Sequence, residues 1–267
     1  MAAYEGKAII LTGASQGIGK ALALALAPQK PKLVLAARDE AALREVAQEC
    51  ERLGAATLVV KTDMTDETQC RALVDKTVAG FGAVDVVIHN AGGGMNARFD
   101  EMTDLSVFER LMRLNYLGPV YLTHAALLHL KKSRGQVVVV SSVAGLTGVP
   151  LRTAYSGSKH AVFGLFESLR IELAEHGVTV TMIAPDFVQS QIHVRAYGAD
   201  GKPVGDSTIA ERVAMPAAEC ARLIVGAMER RQRLLITSLR GRLGRFVRLL
   251  APGLIDWIAN RAIRRGV

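Results

Sequence analysis

Apolar residues follow two alternating rhythms along this chain. Short runs that are apolar almost throughout, KAIIL (7–11), KLVLA (32–36), TLVV (57–60), VDVVIH (84–89), QVVVVS (136–141), TVTMIA (179–184) and LLIT (234–237), are rich in Val, Ile and Leu and read as strands. Between them lie longer segments with helical spacing, at 17–27, 40–53, 65–80, 105–131, 154–175 and 216–230. A strand apolar on both faces needs helices over both faces. The alternation therefore predicts an α/β protein, a doubly wound parallel sheet of about seven strands. Residues 239–267, apolar and arginine-rich together, predict a helical extension after the last strand.

Composition narrows this only a little. The 267 residues are 50% apolar, with no Pro/Gly/Ser linker, repeat or low-complexity tract, so 1–267 reads as one domain. The start, MAAYEGKAIILTG, lacks a basic segment followed by a long apolar run and is not expected to be a signal peptide. No apolar run approaches the ~18 residues of a membrane span. Cys50, Cys70 and Cys220 are scattered and odd in number, which argues against a disulfide framework or zinc cluster and for a cytoplasmic setting. His124 and His129 stand five apart on a helix, a spacing that does not align two ligands, so no metal is expected. The net charge of +8 is concentrated in arginines between 230 and 265. That excess suits phosphate-bearing small molecules or anionic lipid; nucleic acid is not the expected partner.

In a sheet of this kind, ligands bind beyond the carboxyl ends of the strands. Directly after the first strand comes TGASQGIG, with Gly13, Gly17 and Gly19 opening a helix. Gly13 permits a tight turn, Gly17 a close approach to a pyrophosphate, and Gly19 helix–strand packing. Ser15, Gln16 and Ile18 complete a loop whose N–H groups face the phosphates. After the second strand, Ala37 cannot accept from a ribose 2′-hydroxyl, whereas Arg38 can pair with a 2′-phosphate, which favours NADP(H) over NAD(H). The plainer role for Arg38 is pairing with Asp39 or Glu40. After the third strand, Asp63 and Met64 stand where an adenine would lie, with Thr65 or Asp66 as helix caps. After the fourth, Asn90, Ala91 and Gly92 form a small-residue wall suited to a flat ring, or simply a glycine-rich loop.

One further stretch, TAYSGSKHAVFGL (153–165), sets Tyr155 and Lys159 one helical turn apart on the same face. A free phenol, with a pKa of about 10, is a poor base at neutral pH, and a neighbouring ammonium favours its ionised form. Such a pair serves acid–base chemistry; alternatively the tyrosine only packs and the lysine reaches into water.

Taken in order, TGASQGIG, HNAG, LNYLG, VVVVSSVAG and YSGSK resemble the short-chain dehydrogenase/reductase family, over residues 5 to about 190. Within it the chain looks most like the NADP(H)-using, 11β-hydroxysteroid-dehydrogenase-like reductases with a carboxyl-terminal extension. The resemblance implies a Rossmann-type fold and a set of roles. Tyr155 is then the general acid in carbonyl reduction and the base in the reverse. Lys159 lowers the tyrosine pKa and holds the nicotinamide ribose. Ser142, thirteen residues before Tyr155, hydrogen-bonds the substrate oxygen in preference to Ser141. Asn115 holds a water linking Lys159 to solvent. After Pro185 the family's glycine and threonine are replaced by Asp186 and Ser190, while the backbone of Phe187 and Val188 remains able to meet the carboxamide. Asp186 is a turn residue or a substrate contact.

The implied activity is hydride transfer between a nicotinamide and the carbonyl or secondary alcohol of a moderately apolar ketone, aldehyde, steroid or ketoacyl substrate. The competing expectation is a non-catalytic NADP(H)-responsive protein that acts through its basic tail. Residues 187–215 are expected to form a substrate lid. The long helices at 105–131 and 154–175 pair across a twofold axis in the family, which implies a homodimer or homotetramer. For the tail, peripheral membrane contact, a cover over the cleft, a contact with a partner subunit, and packing on its own domain all stand open.

Overall fold

A computed structural model describes residues 2–205 and 214–264; residues 206–213 of the expected lid lie outside the described set. The seven strand patterns all form strands: β1 (Ala8–Thr12), β2 (Lys32–Ala37), β3 (Ala56–Lys61), β4 (Val86–His89), β5 (Gln136–Val140), β6 (Thr179–Ala184) and β7 (Leu234–Ile236). They make one parallel sheet in the order β3-β2-β1-β4-β5-β6-β7. The direction of winding reverses between β1 and β4, which opens a crevice above their carboxyl ends.

Alternation along the strands decides which core each side chain joins. Ile9, Leu11, Leu33, Leu35, Val138 and Val140 face one side. There they meet Leu22 and Leu26 of α1 (Gly17–Leu26), Leu43 and Val46 of α2 (Glu40–Arg52), and Ile224 and Met228 of α7 (Ala217–Glu229). Ile10, Val34, Val137 and Val139 face the other side. These pack on Leu73 of α3 (Glu67–Phe81), Leu122 and Leu130 of α5 (Gly118–Ser133), and Phe163 and Phe166 of α6 (Thr153–Glu172). The three cysteines are buried thiols in these cores, and burial pushes Cys50 up to about 11 and Cys70 and Cys220 to about 12.

Local chemistry sets the helix ends. Asp39 caps α2 by accepting from the Ala42 N–H, and Asp66 caps α3 by accepting from Thr68 and Gln69. The segment expected as one helix over 105–131 is divided. After α4 (Ser106–Met112), the residues Arg113–Leu117 widen into a π turn before α5 continues. Such turns insert one residue into the helical register and so re-aim a side chain; here the buried one is Asn115. The tail forms two helices, α8 (Leu239–Leu250) and α9 (Pro252–Arg264). No described helix is long and apolar enough to cross a membrane.

Candidate active site

The turn after β1 is fastened before it can bind anything. Thr12 Oγ1 donates to the Ile88 carbonyl at 3.2 Å and accepts from the N–H groups of Asn90 and Ala91 at 3.0 and 3.1 Å. The Asn90 amide donates to the carbonyls of Thr12 and Gly13 at 3.0 and 3.1 Å. Asn90 therefore lines the crevice as a stitch between β1 and β4, its amide committed to the turn. Gly13 sits at φ +65°, a conformation that favours glycine. Gly19 lies behind the crevice wall: a Cβ there would stand 2.0 Å from the Gly13 carbonyl oxygen, so only glycine lets α1 approach the turn. Gln16 enters α1 extended and without a side-chain cap, which leaves the first-turn N–H groups of α1 available to an anion. Gly13, Ser15, Gln16, Gly17 and Ile18 all line a cavity of about 380 Å³.

The same cavity reaches Arg38, Asp63, Met64, Ala91, Gly92, Pro185 and Val188, so the crevice gathers the sequence-predicted cofactor residues other than Gly19. Arg38 is exposed and forms no ion pair among the described residues. Asp39 is occupied as the α2 cap, and Glu40 pairs with Arg44. Asp63 works partly within its own loop: its Oδ1 accepts from the Thr65 N–H and hydroxyl at 2.9 and 2.8 Å.

Four side chains converge where α6 passes the carboxyl ends of β4 and β5. Ser142 Oγ accepts the Ala144 N–H at 3.1 Å, and its hydroxyl bonds to the Tyr155 oxygen, so both groups stand together on the cavity. Ser141 instead turns its hydroxyl to the Lys159 carbonyl at 3.4 Å. Lys159 Nζ, on a side chain 5% exposed, donates to the Val140 carbonyl at 3.2 Å and lies 5.7 Å from the centre of the Tyr155 ring. Burial pushes the amine down to about 8. Asn115 donates to the Gly93 carbonyl at 3.1 Å and to Ser158 Oγ at 2.9 Å, and its Oδ1 accepts from the Gly93 N–H at 2.9 Å. Its side chain thus pins the glycine loop to α6.

Burial and two neighbours set the electrostatics of Tyr155. Burial raises its pKa, and the Ser142 hydroxyl and the Arg152 guanidinium pull it back down. Lys159, itself depressed by burial, is not among the groups that lower it in this state. The phenol is accordingly protonated at neutral pH.

Two features emerge that the sequence did not reveal. Asp186, on the cavity wall, reaches across to the tail: its carboxylate accepts from Ser238 Oγ at 2.7 Å and from Arg240 at 2.8 and 3.2 Å. It anchors the start of α8. From α8, Arg248 also donates to the Leu146 carbonyl, so of the placements left open for the tail, α8 packs on its own domain at the cavity rim. Second, Arg152, His193, Arg195 and Tyr197 line the cavity beside Tyr155, joining Phe187, which the sequence had singled out. Arg152 was detectable in principle, being three residues before Tyr155 and hence on its helical face. The loop residues carry no periodicity that would reveal them. Ser190, in place of the family's threonine, stands over Gly17, where a glycine Cβ would lie 3.2 Å from its Cβ.

Comparison with known proteins agrees with this geometry. The family model for short chain dehydrogenase matches residues 7–198. A Dictyostelium discoideum protein described as dehydrogenase/reductase SDR family protein 7-like is 34% identical over 97% of this chain and 82% of its own length. An Arachis hypogaea 11-beta-hydroxysteroid dehydrogenase A is 36% identical over 94% of this chain and 74% of its own. A crystal structure of a short chain dehydrogenase/reductase from Burkholderia phymatum in complex with NAD superposes with a TM-score of 0.82 at 26% identity, covering 95% of this chain and 96% of that one. The chain belongs to the short-chain dehydrogenase family, with an 11β-hydroxysteroid-dehydrogenase-like resemblance, and is a hydride-transferring oxidoreductase that uses a nicotinamide cofactor. The uncapped α1 terminus and the glycine turn fit the pyrophosphate of that cofactor.

Proposed function

We propose that this protein is an NADP(H)-dependent reductase of the carbonyl group of a moderately apolar ketone, aldehyde, steroid or ketoacyl compound, working reversibly on the matching secondary alcohol. The observation that carries this reading is the hydrogen-bonded pairing of Tyr155 with Ser142, on the cavity that also holds the uncapped end of α1.

The bound cofactor supplies the hydride. The chain's own residues handle the oxygen. Ser142 donates to the substrate oxygen, and the Tyr155 hydroxyl gives up its proton as negative charge develops there, so two donors meet the forming alkoxide. A phenol that burial keeps protonated at neutral pH suits the reducing direction. In oxidation it must first lose that proton, helped by the positive charge of Arg152. Asn115 positions α6 through Ser158, and Arg38, exposed and without an ion pair among the described residues, takes the 2′-phosphate. The backbone of Pro185 and Val188 faces the carboxamide.

The protein acts in the cytoplasm as a homodimer or homotetramer joined through α4–α6, a reading supported by the exposure of Leu128 on α5 and Ile171 on α6. Peripheral membrane contact through the tail is supported by the exposed Leu243, Phe246, Leu250 and Trp257, set among arginines. Light scattering tests the first, and vesicle flotation with and without residues 239–267 the second. The enzymatic reading itself is tested by a carbonyl and alcohol screen with NADPH and NADP⁺. Turnover of a ketone that prefers NADPH is the expected result, and silence across the panel refutes it.

A further inference from the structure

We propose that the substrate carries, besides its reacting carbonyl, a carboxylate that docks against Arg152 and His193. This deepens the reductase reading and rests on it.

Arg152 immediately precedes α6, lines the cavity, and is close enough for its charge to act on Tyr155 and on His193. It is half-buried, and burial pushes its own pKa down. Yet among the described residues its guanidinium has neither a hydrogen bond nor an ion pair. The Phe187 ring lies 5.9 Å from the guanidinium carbon. A ring face at that distance is a weak substitute for the water a guanidinium gives up.

The carboxylates on the cavity wall do not serve it. Asp39 caps α2, Asp63 is held in its own loop, and Asp186 already receives Ser238 and both contacts from Arg240. Arg240 lies 5.3 Å from the same Phe187 ring, so a second guanidinium adds positive charge here instead of offsetting it. His193, 6.3 Å from Phe187 between ring centres, has its Nδ1 buried with no partner. Arg195 adds a further positive charge to the same wall. A planar acceptor with two oxygens satisfies this set: the guanidinium fork takes a carboxylate two-pronged, and Nδ1 offers a second hydrogen-bonding position. The substrate class is therefore an oxo acid or the matching hydroxy acid.

The test compares ω-benzoylalkanoates of increasing chain length with their methyl esters, using NADPH. At least one acid is expected to exceed its ester in kcat/KM by about tenfold, the size of one good charge-assisted contact. In Arg152→Met this ratio falls to near one, and in His193→Leu it falls part of the way. Binding is measured independently of turnover, by calorimetry on the NADP⁺-saturated protein with a phenylalkanoate and its amide. The acid binds about tenfold tighter, and the difference disappears in Arg152→Met. Equal handling of acid and ester by the unaltered protein overturns the proposal while leaving the reductase reading intact. A loss common to acid and ester in Arg152→Met also overturns it, because that pattern marks a residue that only tunes Tyr155. An equally large loss of NADPH affinity assigns Arg152 to the cofactor instead. If no carbonyl compound is reduced at all, the reductase reading fails, and the calorimetric difference still decides whether the site takes a carboxylate.

Discussion

Arg240, on the first turn of α8, grips the Asp186 carboxylate through two nitrogens at 2.8 and 3.2 Å. The acid stands directly after β6, beside Pro185 and Val188 of the cavity wall, and its side chain is 13% exposed. The tail and the cofactor loop are thus one mechanical unit. Replacing Asp186 with Asn and Arg240 with Met, singly and together, is expected to show a coupling energy of about 1 kcal/mol, at the upper end for a pair whose arginine is open to solvent. Amide exchange should quicken over residues 238–247 in either single variant. Unchanged exchange there disproves the anchor.

Gly19 is a steric requirement. A methyl group would press on the Gly13 backbone oxygen, which cannot swing aside, and on the Asn90 amide bonded to that same turn. Gly19→Ala is expected to lose about 3 kcal/mol of stability, the upper range for overpacking, together with measurable cofactor binding. Gly148→Ala, where the added carbon meets nothing within 4 Å, should unfold at the parental temperature. Thermal denaturation of the two variants makes the comparison.

Arg38 is assigned the 2′-phosphate. Arg38→Ala should weaken NADPH by about ten- to a hundredfold, since a charged contact is worth about 1.5–3 kcal/mol, and NADH by less than about threefold. Fluorescence titration with both cofactors measures this, and parallel losses contradict the assignment.

Lys159 carries a stability cost that depends on pH. Its amine falls from 10.5 to about 8 in the folded chain, so between those values the unfolded state holds a proton that the native state lacks. Stability therefore rises with pH across that window, and at pH 7 the buried ammonium costs about 3 kcal/mol, partly offset by its bond to the Val140 carbonyl. Lys159→Met should be inactive yet more stable than the parent at pH 7, with the gap closing as pH approaches about 10.5. Denaturant melts at several pH values decide; a variant less stable at pH 7 refutes the buried-charge account.

The sheet was legible because strands such as QVVVV are covered on both sides, and that condition leaves an unbroken apolar run. The glycine turn was legible for a similar reason: at Gly19 no other residue fits, so chemistry and sequence coincide. The π turn at Arg113–Leu117 left no mark, since it changes hydrogen-bond register without changing helical composition. The Asp186–Arg240 pair joins residues 54 apart, and such a contact depends on tertiary geometry that periodicity does not encode. The influence of burial on Tyr155 and Lys159 left no mark in the sequence, because one-turn spacing reports their proximity and says nothing of how deeply they sit.

The central claim is that the Tyr155 hydroxyl delivers the proton in a nicotinamide-dependent carbonyl reduction. Tyr155→Phe removes a single oxygen from a ring that is 7% exposed and leaves the cofactor crevice otherwise intact. Single-turnover reduction of a ketone turned over by the parent, measured beside NADPH affinity on the same sample, tests it directly. The expected result is a rate lowered by at least about 10²-fold, the scale of acid catalysis, with NADPH affinity within about threefold of the parent. A variant that still reduces the ketone near the parental rate contradicts the claim.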